Sequence, residues 1–183
     1  LDIYIKRGYE LGPDRHFTAS EALVQEAEKL MSGNAPDPEK VIAKCKEASW
    51  LAENFVGRIN RWVTAHEEAK VLLEQARELE HHLRERYKHS CTELDLLQRE
   101  YPVDVWYPLD IAFGGNQIPG RLEKLTEKRF EAMDKMDMKT QDFEGALVLL
   151  KEVEKELEKL EEIIERPVKT RESLKAGQEA VVS

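Results

Sequence analysis

The residues best suited to hold a cation lie together in Glu78-Leu79-Glu80-His81-His82-Leu83-Arg84-Glu85-Arg86-Tyr87-Lys88-His89. Glu78, His82, Glu85 and His89 follow one another at steps of four, three and four, so a helix would place them on one face. Glu78 with His81 also has the Glu-x-x-His spacing used by helical bundles that bind two iron ions. Such a centre needs a second motif from another helix, and no histidine follows His89. Arg84, Arg86 and Lys88 add positive charge against a bound cation. A solvated polar face therefore outweighs a metal site, and a metal-binding bundle through Glu78, His82, Glu85 and His89 is the third reading of function.

Covalent chemistry has less support. The sequence holds no Gly-x-Ser-x-Gly elbow, no phosphate-binding loop and no cysteine with a base close in sequence. Gly114-Gly115-Asn116 lacks dinucleotide-loop spacing and reads as a turn. Cys45 and Cys91 stand apart from any CxxC or Cys/His cluster and read as small buried hydrophobes. No catalytic or cofactor-binding residue is assigned, no cofactor is expected, and the chain reads as a non-enzyme. Trp106, Tyr107 and Phe113 are the candidate interaction residues, because aromatics with polar tips are enriched in binding hot spots. The competing reading makes them a plug at the end of a helical hairpin.

These residues need long helices to position them. Pro36-Asp37-Pro38 is a start signal, with Asp37 as N-cap and Pro38 where its missing N–H costs nothing. From Val41, alternating steps of four and three reach Tyr101 through eighteen positions, of which only His66, Glu80 and Ser90 are not apolar. That phase predicts one helix over about 38–99. A histidine on such a seam reads as a satisfied core residue whose protonation would loosen the bundle. An earlier helix over about 20–32 is signalled by the Thr18–Glu21 capping box and the Ser32-Gly33-Asn34 stop.

Residues 101–119 carry Tyr-Pro twice and Ile-Pro, yet hold Val103, Val105, Leu109 and Ile111, which predicts an ordered, packed loop with a helical turn near Leu109–Phe113. A second stripe runs from Leu122 to Ile164, apolar at eleven of thirteen steps, and predicts one helix over about 120–165, with a break around Thr140, in the polar patch Asp137–Asp142, as the alternative. Arg166-Pro167 should end or kink it. The fold class expected is all-α: an elongated antiparallel hairpin of two long helices, with the short first helix making a three-helix, spectrin-like bundle. The organisation is an N-terminal arm over 1–17, a bundle over 18–166 and a C-terminal extension over 167–183.

Charged residues make up 36% of the chain, with 28 Lys and Arg against 37 Asp and Glu and a net charge of −9. The acidic balance argues against nucleic acid, which demands a basic face. No apolar run approaches the roughly 18 residues of a membrane helix. Acid and base alternate from Glu152 to Glu165, as on a solvated face. The start at Leu1 is expected to mark a fragment, and Leu1–Ile5 followed by Lys6-Arg7 reads as a docked arm or as the exit of a membrane helix cut away. Any membrane attachment would then come from a segment outside this chain. A cytoplasmic location, or the cytoplasmic face of a membrane, is favoured.

Trp50-Leu51-Ala52, the spaced Ala69 and Ala76 with Leu72-Leu73, Trp106-Tyr107-Pro108 and Gln141–Leu147 give the chain a further likeness. Over Val41 to Leu174 it resembles helical stalk segments of bacterial membrane-anchored TPM-domain proteins and, more broadly, spectrin-like septation-ring rods. The resemblance implies a non-enzymatic stalk or scaffold and transfers no functional residue. The function expected is a structural or protein-interaction module, with a membrane- or envelope-associated regulator as the alternative. Its partners would be proteins of unspecified identity, and oligomers are compatible with the pattern.

Overall fold

The computed structural model describes Tyr9 and residues 15–33, 37–114 and 117–182, and every regular element among them is a helix. They are α1 (Arg15–Ser32), α2 (Pro38–Glu100), α3 (Val103–Phe113), α4 (Gln117–Met136) and α5 (Phe143–Val182). Apart from Tyr9 and residues 15–17, the arm expected over 1–17 lies outside the described residues, as do Asn34, Ala35, Pro36, Gly115 and Asn116.

α2 runs 63 residues. Asp37 caps it by accepting from the Lys40 amide at 3.2 Å, and Pro38 occupies its first position. The stripe stepped from Val41 is the face α2 buries: Ala48, Phe55, Ile59, Ala69, Ala76, Leu83, Leu94 and Leu97 are buried. So are all three polar exceptions, His66, Glu80 and Ser90. Cys45 is exposed and Cys91 half-buried, which corrects the expectation that both are core residues. Among the described residues, α1 is the helix packed on the part of α2 around Cys45, and two helices leave the edge of the stripe in water.

α1 lies antiparallel on the first third of α2. Phe17 meets Phe55, Ser20 donates to the Ala48 carbonyl at 3.0 Å, and Glu26 pairs with Lys44. α1 begins at Arg15, before the expected start near 20, so Thr18 and Glu21 lie inside the helix rather than capping it.

The second stripe is folded back on itself. The single helix expected over 120–165 is two, α4 and α5, joined through Asp137–Asp142. α4 runs antiparallel to α2, placing Thr126 and Arg129 beside Glu80 and Met136 in the cluster around Ala65 and Ala69. α5 then runs parallel to α2, with Glu68 paired to Lys151, Arg86 to Glu161 and Glu165, and Glu93 to Arg171. The antiparallel hairpin of two long helices is thereby corrected: from Trp62 onward three segments pack together. The reason is local. Asp137 accepts from the Lys139 amide at 2.8 Å, Gln141 takes a left-handed φ of 51°, and Asp142 accepts from the Gly145 amide at 3.1 Å and Lys135 Nζ at 2.7 Å. Trp62 Nε1 donates to the Gln141 carbonyl at 3.0 Å and holds the turn against α2.

Two further expectations change. The packed loop over 101–119 is mostly helix: Pro102 precedes α3, Pro108 lies within it, and Gly114 ends it at φ 55° in the left-handed region, where glycine carries no Cβ penalty. The helix does not end at Arg166-Pro167 but continues as α5 to Val182 with Pro167 inside it, so residues 167–182 of the C-terminal extension are helical. Pro167 removes one backbone bond. Its ring is fully buried, and Arg171 beyond it is tied to Glu93 and Glu100 of α2.

Candidate functional site

α3 is held at one end of the bundle by its last residue. Phe113 is 4% exposed and stacks on Tyr87 at 5.7 Å between centroids. Trp106 is half-buried against the same core as Leu83, Leu94 and Ile164. Tyr107 is 54% exposed, so the three candidate interaction residues divide: Phe113 and Trp106 are anchors, and Tyr107 faces water. With it stand Val103 and Ile111, 58% and 60% exposed, at i−4 and i+4 on the same helical face. These two were missed in the sequence because the segment reads as a loop; the fourfold spacing was the signal. The periodicity also carried no warning of exposed Ile42, Trp50 and Val56 on the part of α2 that, among the described residues, α1 covers.

Glu78, His82, Glu85 and His89 all lie on the exposed side of α2. Glu85 is paired with Lys88 at 2.8 Å. Among the described residues no three His, Cys, Asp or Glu side chains come together as a metal site.

Glu80, Arg129 and His66 of the stripes have side-chain partners. Glu80 Oε1 accepts from Arg84 Nη2 at 2.9 Å and from the Thr126 hydroxyl, while its Oε2 accepts from Arg129 Nε at 3.3 Å. Arg129 is itself one of the two polar exceptions of the second stripe, Lys139 being the other, so one exception from each stripe meets across the α2–α4 interface. Burial pushes the Glu80 carboxyl up, but the bonds from Thr126, Arg84 and Arg129 together hold it below its ordinary value. His66 is 6% exposed; its Nδ1 lies 2.8 Å from the Tyr9 hydroxyl and its ring stacks on Phe143 at 4.0 Å. Burial lowers its pKa, and Lys70 adds to that against a smaller opposing effect of Glu67. Burial and Lys70 both favour the neutral ring.

No family model, no curated protein and no solved structure matches this chain. The arrangement of the side chains offers an exposed apolar helix face at one end and, inside, the hydrogen-bonded polar groups Glu80, Arg129 and His66. Among the described residues no helix is long and apolar enough to cross a membrane.

Proposed function

We propose that the chain is a non-catalytic helical module, a spectrin-like stalk or scaffold, that presents α3 to a protein partner. The observation that carries this reading is the row Val103, Tyr107 and Ile111, each more than half exposed on a helix anchored by buried Phe113. Apolar side chains in a row, rimmed by Asp104 and Asp110, have the make-up of an interface centre with a polar border. The rod-like stack of helices behind α3 would set its distance from whatever the other end holds. Attachment to a membrane through a segment outside this chain, as in the stalks it resembles, is compatible with this role and is the second reading.

A photo-crosslinking residue placed at position 107 tests the proposal in cells, with the same residue at exposed Glu158 as the reference site. A discrete protein adduct is expected at 107 alone, and Val103→Ser with Ile111→Ser should abolish it without changing thermal melting. Equal crosslinking at both sites would overturn the reading.

A further inference from the structure

Three of the four methionines in the sequence, Met133, Met136 and Met138, fall within six residues. All three line one open groove of about 810 Å³ beside the 137–142 turn, with His66 and Tyr9 in its wall. Met133 and Met136 share a face on the last turn of α4, and Met138 follows where the chain reverses. Their depth is graded: Met136 is 9% exposed, Met138 half-buried and Met133 43% exposed. A methionine used as a core filler is covered on all sides, as Met136 nearly is. The other two bring thioethers to the mouth of the same groove.

The donor chemistry is selective. Thioether sulfur is a soft ligand that suits Cu(I) and serves hard cations poorly. His66 adds a borderline donor in its neutral, ligating form. With Nδ1 engaged by the Tyr9 hydroxyl, Nε2 is the nitrogen left for a metal, and a bond of that kind fixes ring orientation at metal sites. Oxygen donors are scarce: Glu67 and Asp137 border the groove, and Glu67 is paired with Lys70 at 3.3 Å. The set lacks the thiolates or second imidazole that zinc would need.

We propose that Met133, Met136 and Met138, with His66 Nε2, form a binding site for Cu(I). The site is separate from the α3 face and does not depend on the scaffold reading.

The test uses the full chain, labelled with ¹³C at its methionine methyls and titrated anaerobically with Cu(I) supplied as its bicinchoninate complex. The protein should withdraw Cu(I) from the chelator, shifting the methyl signals of Met133, Met136 and Met138. Met31, 65% exposed on α1, is the internal reference and should not move. Met133→Leu with Met138→Leu leaves Met136 in the core, so melting should be unchanged while Cu(I) affinity falls about tenfold or more. The proposal is overturned if the chelator keeps its Cu(I), if Met31 shifts with the others, or if the double variant binds as tightly as wild type.

Discussion

Glu80 takes hydrogen bonds from three side chains on two helices, so its loss strands more than itself. Glu80→Ala would leave Arg129, 13% exposed, without its counter-charge. A destabilisation of about 1–3 kcal/mol is expected in urea denaturation. Glu80→Leu with Arg129→Met should recover most of it, because replacing both partners leaves no buried charge. The stripes showed which positions were polar, His66, Glu80, Ser90 and Arg129 among them, but not that Glu80 and Arg129 face each other. Pairing depends on the direction of α4, and a one-dimensional phase carries no direction.

His66 gives the pH dependence a definite sign. Its folded pKa lies below the unfolded value of about 6.5, so the unfolded chain takes up the proton first. Stability is therefore full above that pH and is lost as pH falls toward the folded pKa. Among the described residues, the titratable groups lining the groove with the ring are Tyr9, Glu67, Lys70 and Asp137, and neither carboxylate is buried so as to reverse this sign. Thermal melting of wild type should drop between pH 7.5 and 5.5. His66→Gln, which keeps a hydrogen-bonding group for Tyr9, should lose much of that drop; an unchanged pH profile would contradict the assignment.

At the scale of elements, the 137–142 turn decides the fold. Met136 ends α4 and Phe143 begins α5 seven residues later, one full heptad. The apolar stepping therefore passes through the reversal unbroken, which is why the sequence reads as one helix. The polar run Asp137–Asp142 was the local signal, and two of its aspartates are the ones that cap backbone amides. Asp142→Ala removes the cap on Gly145 and should cost about 1 kcal/mol in thermal or urea unfolding. Gly145 is constrained by the same contact, since a Cβ there would lie 2.7 Å from Asp142 Cγ. α2 was legible nearly to the residue because its cap, its proline and its stripe agree. α3 was not, because its two Tyr-Pro pairs look like breaks, although Pro102 only precedes the helix and Pro108 costs it a single bond.

For the whole molecule, the excess of charge and the helical stripes share one physical origin. A thin stack of helices has little interior and much surface, and charged residues cover it. The accessible surface is 12238 Å², against about 9,100 Å² for a compact monomer of this mass. α2 alone spans about 94 Å at roughly 1.5 Å per residue, with α1 on its first third and α4 and α5 on the rest. The acidity of the chain then follows from solubility and ion pairing between helices: Arg86 bridges to two glutamates of α5, and Arg121 and Lys128 of α4 to two more. A stalk or scaffold function rests on that length, because only an extended body can hold α3 far from its other end. Small-angle X-ray scattering of the dilute monomer measures the length directly. A uniform rod as long as α2 predicts a radius of gyration of about 27 Å. A value near the compact expectation of about 16 Å would contradict the account.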